Sequence, residues 1–220
     1  MRTMNMDHRL EELEQLYVGV PISSDDIILD ALCGNGFASK PLIGRTEKIF
    51  GVDRKERPKD FPQEITYSRQ AIQSLDFTDE TFTLVLAHAG FHHVGQGNPI
   101  EQQQAVNEFY RILQPGGIVR LADLEGGTSA SHLNDDYMPS HGKNCVWLTP
   151  NYAATLLTKA GFIDVNAESI PIRWNFVNHS QLDKVAQSMF RVDKTVLQKY
   201  GLVRNLTITL PFMYARGVKR

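Results

Sequence analysis

Apolar residues recur along this chain in two rhythms. Leu10, Leu13, Leu16 (with Tyr17) and Val20 fall at helical spacing, so the first 20 residues read as an amphipathic helix that Pro21 stops. Ile27–Leu29 is a continuous apolar run ending in Asp30 and the turn Gly34-Asn35-Gly36, the pattern of a buried strand that breaks into a glycine turn. A short helix is expected to start in Phe37–Ile43, with Pro41 in its first turn; Lys48–Val52 is a second strand, closed by Asp53. Phe82–Ala87 is the next strand. Ile100–Leu113 presents Ala105, Val106, Phe109, Ile112 and Leu113 on one helical face. Pro115-Gly116-Gly117 breaks that helix, and Ile118–Ala122 is a strand ending at Asp123. Asn151–Ala160 is a helix opened by Thr149-Pro150 and stopped by Gly161, followed by a strand at Phe162–Val165. A helical stretch lies between Gln181 and Tyr200, and a last strand, Leu206–Ala215, is interrupted by Pro211.

Strands alternating with helices imply an α/β fold of the Rossmann-like, doubly wound kind, with a mostly parallel sheet covered on both faces. Residues 125–148 are rich in Gly, Ser, Asn and Asp and weakly patterned, which reads as a long functional loop over the site. Without an internal repeat or linker, residues 1–220 are expected to form one domain, with an N-terminal helix at 1–20 and a helical lid at 179–200.

Composition narrows the function. Hydrophobic residues at 42% and charged ones at 22% fit a globular chain with a real core. Lys and Arg number 23 against 25 Asp and Glu, a net charge of −2, which argues against a nucleic-acid partner. Cys33 and Cys145 are too few for a disulfide framework or a four-cysteine zinc site. With no leader-like start and no run long enough to span a membrane, the expectation is a cytoplasmic protein that makes no membrane contact; a homodimer is left open.

In open α/β sheets, ligands bind outside the carboxyl ends of the strands, where the strand order reverses. Asp30, Asp53 and Asp123 each close a predicted strand, and Asp53 follows Gly36 by 17 residues. Glycines let backbone approach a ligand closely, and a carboxylate on the next strand can accept hydrogen bonds from two ribose hydroxyls. The plainer alternative is a turn and a strand end with no ligand.

Ile27-Ile28-Leu29-Asp30-Ala31-Leu32-Cys33-Gly34-Asn35-Gly36 resembles the glycine-rich first motif of class I S-adenosylmethionine-dependent methyltransferases, and Gly51-Val52-Asp53 resembles their ribose-binding motif. Ser74–Phe82 is similar to their Leu-Pro-Phe stretch, Phe91-His92-His93-Val94 to their His-His pair, and Glu108–Gly117 to their arginine-leucine-proline-glycine-glycine segment. With Ala160-Gly161-Phe162, six motifs stand in family order over Asp26–Val165. The resemblance is to small-molecule enzymes similar to those of ubiquinone and menaquinone biosynthesis. It implies a seven-stranded sheet, S-adenosyl-L-methionine as cofactor and S-adenosyl-L-homocysteine as product. By resemblance, Asp30 lies near the methionine end, Leu32, Gly34 and Gly36 form the close-approach turn, Asp53 binds the ribose and Arg54 packs near the adenine. Ala87 and His88 would line the passage to the acceptor. Two positions depart from the pattern. Leu32 stands where the family has glycine, and Ala71 where it often has an acidic partner for the adenine amino group; the amide oxygen of Gln70 is a substitute acceptor.

Histidine is the natural base near neutral pH. The candidates are His141, in the loop over the pocket, and His88 and His92, at the end of the Phe82–Ala87 strand; loop-stabilising or helix-start hydrogen bonds are their alternative roles. His88, His92, His93, His132 and His141 with Cys145 and Asp135-Asp136 show no zinc-type spacing, so no metal is expected. Trp174, Phe176, Phe190, Tyr200, Phe212 and Tyr214 either wall an apolar acceptor pocket or pack the core. The expected function is methyl transfer to a small aromatic or apolar metabolite. The alternatives are a fold relative that binds the cofactor but catalyses a non-methylating reaction, and a non-enzymatic binding or regulatory module.

Overall fold

The apolar runs become the central strands of one sheet. The computed structural model describes residues 7–46, 48–96, 98–138 and 145–220. Its strands are β1 (Ile27–Ala31), β2 (Lys48–Asp53), β3 (Thr66–Arg69), β4 (Phe82–His88), β5 (Leu113–Leu124), β6 (Ile163–Asn175), β7 (Val203–Arg204) and β8 (Thr207–Val218). Their order is β3-β2-β1-β4-β5-β8-β6, with β7 paired onto β8. The first five are parallel; β8 runs antiparallel to both β5 and β6. This is the expected doubly wound sheet, with β7 as a small addition to the seven strands.

Helices are α1 (Leu10–Tyr17), α2 (Pro99–Ile112), α3 (Ser129–Tyr137), α4 (Pro150–Ala160), α5 (His179–Val185) and α6 (Lys194–Lys199). On one face α2 and α4 cover a core built on Leu29, Val85, Val119, Phe109 and Leu157. On the other, α1, α3, α5 and α6 bury Leu16, Leu133, Leu182 and Leu197 against β6 and β8. The Asn98 side chain accepts from Ile100 N and caps α2, and the expected ends of α4 form: the Thr149 side chain accepts from Tyr152 N, and Gly161 closes the helix at φ 103°. No helix among the described residues is long and apolar enough to cross a membrane.

Four expectations change. The helix expected from Phe37 shrinks to a 3-10 turn, Lys40–Leu42: Pro41 lacks an N–H, and Gly44 at φ +80° turns the chain away. Leu42, Phe61 and Ile65 cover the sheet there instead of a helix. In α1 it is Glu12 and Leu16 that are buried, while Leu10 is 54% exposed; residues 1–6 lie outside the described residues. Within 125–148, Ser129–Tyr137 is the helix α3, started by a reciprocal cap between Thr128 and Ser131. Finally, β8 runs straight through Pro211, which faces Pro171 of β6 in register, so two residues without N–H donors sit opposite one another.

Candidate functional site

Strand order reverses at β1, which pairs with β2 on one side and β4 on the other. At the carboxyl ends of these strands lies a crevice of about 610 Å³, within the size range of small-molecule sites. Leu32 and Gly34 line it after β1, Asp53 and Arg54 at the tip of β2, Gln73 after β3, and Gly90 and His93 after β4. Asp53 Oδ2 accepts from Gly34 N at 3.0 Å and Oδ1 from Lys55 N at 3.0 Å, which orients the carboxylate and leaves lone pairs for a ligand.

Leu32 is held at φ +63°, a left-handed conformation that costs a non-glycine residue about 1–2 kcal/mol. The backbone therefore keeps the shape a glycine would favour. The Leu32 side chain is half-buried against the core and stands in the crevice wall without closing the cavity.

Gln70 does not reach this wall. Its Nε2 donates to Ser68 Oγ at 2.8 Å, and its Oε1 accepts from Asp76 N at 2.7 Å, so both ends of the amide fix the loop after β3. Gln73 does reach it: it lines the crevice, donates through Nε2 to Glu101 at 2.8 Å, and buries Oε1 without a partner among the described residues. An unpartnered buried carbonyl oxygen costs about 1–3 kcal/mol unless a ligand satisfies it. Gln73 was missed from sequence because it lies outside the family position, and only its geometry reveals it.

Of the residues expected to bind cofactor, Leu32, Gly34, Asp53 and Arg54 reach the crevice, whereas Asp30, Gly36, Gln70, Ala71, Ala87 and His88 are set off it. The reasons are local. Gly36 packs under Phe61 and Pro62, and Ala87 is buried in the core below the crevice. Asp30 is buried beside Ser39, whose Oγ donates to it at 2.6 Å; burial pushes its carboxyl up to about 6. His88 turns to the opposite side of β4.

There His88 joins a sealed network. Its Nε2 lies 2.8 Å from Glu12 Oε1, Trp174 Nε1 donates to Glu12 Oε2 at 2.9 Å, and Arg9 Nε donates to Glu12 Oε2 at 2.8 Å. Burial alone would raise the Glu12 carboxyl, but the Arg9 guanidinium and His88 outweigh it and hold it at about 2. Phe212 and Tyr214 pack beside these groups, and Arg9 lies over the Phe37 ring at 3.8 Å. Trp174, Phe176, Phe190, Phe212 and Tyr214 are core residues here rather than crevice wall, and the 179–200 stretch is helical and packs on this face.

A second group sits at the crevice rim. His92 Nδ1 lies 2.8 and 2.9 Å from the Asp123 oxygens, His92 N donates to Asp123 at 3.0 Å, and the His92 ring stacks on Trp147. Burial opposes ionisation of Asp123, and the facing His92 more than reverses this, lowering its pKa. Cys145 Sγ is 3.6 Å from His93 Nδ1. Burial first, then Asp135 and Asp123, push the Cys145 thiol up to about 11. Sequence spacing hid this cluster because the fold brings together residues 52 positions apart. His132 lies exposed on α3, and His141 lies outside the described residues.

Residues 29–121 match the methyltransferase domain family. An uncharacterized methyltransferase of Synechocystis sp. is 30% identical over 107 residues, covering 47% of this chain and 49% of the relative. A demethylmenaquinone methyltransferase of Lactobacillus johnsonii is 23% identical over 129 residues, covering 53% and 51%. The chain thus spans about half the length of the curated relatives it matches. In fold it is similar to a Haemonchus contortus phosphoethanolamine N-methyltransferase solved with phosphomonomethylethanolamine and S-adenosylhomocysteine: TM-score 0.70, 16% identity, over 96% of this chain and 52% of that one. The strand order, the carboxylate at the tip of β2 and the match over residues 29–121 agree, and together they make this chain similar to class I, S-adenosylmethionine-dependent methyltransferases.

Proposed function

We propose that this chain transfers the methyl group of S-adenosylmethionine to a small aromatic or apolar metabolite. The observation that carries the reading is the crevice wall, on which the Asp53 carboxylate, the Gly34 turn and the Gln73 side chain share one cavity. These residues fit the cofactor. Asp53 would accept from the ribose hydroxyls, Gln73 Oε1 would accept from the adenine amino group, and Gly34 would let backbone approach the methionine portion. When bound, S-adenosylmethionine supplies a methyl group activated by a positively charged sulfur. The chain's own contribution is to hold the acceptor in line with that group and to exclude water. Glu12 fixes the ring of His88, and Asp123 that of His92, so both histidines act in this reading as positioning groups. His141 is the candidate to take the proton of an acceptor that must lose one. The names of the L. johnsonii and H. contortus enzymes support a small-molecule acceptor, and the latter's bound S-adenosylhomocysteine supports the cofactor.

Calorimetry with S-adenosylmethionine, followed by a panel of acceptors assayed for S-adenosylhomocysteine, tests the proposal. Binding with turnover on an apolar acceptor is expected. Binding without turnover across the panel would favour a non-methylating enzyme, and no binding at millimolar cofactor a binding module. In His141→Ala, turnover is expected to fall while cofactor affinity is kept.

A further inference from the structure

We propose that His92, His93 and Cys145 form a three-ligand site for a divalent transition-metal ion of the zinc class at the rim of the crevice. One ligand atom from each residue lies within 4.8 Å of the other two. The Cys145 Sγ to His93 Nδ1 distance is 3.6 Å. Tetrahedral zinc, with Zn–S near 2.3 Å and Zn–N near 2.0–2.1 Å, separates sulfur from nitrogen by about 3.5–3.6 Å.

The surroundings supply what a metal site needs beyond its ligands. Both oxygens of Asp123 lie within 2.9 Å of His92 Nδ1, which fixes the ring and presents Nε2 as the donor atom. A carboxylate behind a ligating histidine is the usual means of orienting it and raising its basicity. The two ligand segments are also tied together. Val146 N donates to His92 O at 3.0 Å, and the buried Gln102 Nε2 donates to both Phe91 O at 3.1 Å and Val146 O at 2.9 Å. Asp135, which accepts from Trp147 Nε1 at 2.9 Å, and Asp123 add negative potential that favours a cation beside the sulfur. His93 also lines the crevice, which places the cluster at its rim. Sulfur and imidazole together select zinc-class ions over magnesium or calcium.

The site stands independently of the methyl-transfer reading, and its test needs no turnover. The purified chain is titrated with zinc against a chromophoric chelator, and separately with cobalt(II), whose thiolate charge-transfer band reports a sulfur ligand. One equivalent of zinc at micromolar free metal, with a cobalt band that disappears in Cys145→Ser and persists in Cys33→Ser, is expected. Asp123→Asn should weaken binding by roughly 10–100-fold. Circular dichroism of each variant verifies the fold, and Cys145→Ser, at a half-buried position, serves should Asp123→Asn unfold. The proposal is overturned if the wild-type chain takes up no stoichiometric zinc at micromolar free metal, or if the cobalt band survives Cys145→Ser. S-Adenosylhomocysteine calorimetry on the same samples separates this outcome from loss of the crevice reading.

Discussion

The two sides of the β4 tip handle polar groups in opposite ways. On the crevice side, the Asp53 carboxylate is oriented by backbone donors but retains acceptor capacity, and the buried Gln73 Oε1 has no partner among the described residues. On the α1 side, Glu12 is held by Arg9, His88 and Trp174. A buried charge is tolerated only when paired, while an unpaired acceptor persists where a ligand can complete it. The network is therefore a matter of stability and the crevice a matter of binding.

The largest expected effect breaks the network. Glu12→Ala leaves Arg9, His88 and Trp174 Nε1 buried without their acceptor and should lose about 3–5 kcal/mol in urea unfolding. Affinity for S-adenosylhomocysteine should not follow; a parallel loss would join the two sides that the comparison separates. The pH dependence sharpens this. Because the folded pKa of Glu12 lies near 2, below its unfolded value of 4.5, its contribution is complete above pH 4.5 and is lost as pH falls from there toward 2. Glu12→Gln should flatten the stability curve in that window.

Next comes the crevice. Asp53→Ala should weaken cofactor binding by about 1.5–3 kcal/mol, the range for hydrogen bonds to a charged group, with a smaller change in unfolding. An unchanged dissociation constant would remove Asp53 from the ribose role. Gln73→Leu should lose about 0.5–1.5 kcal/mol of affinity, as for a neutral hydrogen bond, and gain stability because the unpartnered acceptor is gone. Stability lost with affinity unchanged would reassign Gln73 to the fold.

The smallest expected effect concerns Leu32. Leu32→Gly releases about 1–2 kcal/mol of left-handed strain and gives up packing of a half-buried side chain together with backbone entropy. Thermal unfolding should put the net change within about 1 kcal/mol. Cofactor affinity should hold or tighten; a marked loss would make the leucine side chain part of the recognition surface.

The central sheet was legible because β1, β4 and β5 are apolar runs with glycine or acidic endings, and those endings located the crevice. β3 escaped notice because Thr66, Tyr67, Ser68 and Arg69 offer no buried side chain to produce a pattern. Helix α3 was hidden by its polar sequence and by a cap that uses Ser131 in place of an acidic residue. The family resemblance assigns Asp30 and His88 to the site, and the structure sets both off the crevice. Which face of the sheet a strand-end residue takes depends on the alternation of side chains and on the partner waiting there, and Glu12 and Ser39 are known only from the fold.

The pairing of Pro171 with Pro211 bears on how the protein behaves in a crowded solution. Neither proline can donate across to the other, so Pro171 turns its nitrogen to the outer margin of β6, the last strand on that side of the sheet. A foreign segment trying to zip onto this margin would meet a missing donor midway, with Asp164, Glu168 and Arg173 spaced along the same strand. The ribbon that completes the sheet is thereby kept from seeding polymers.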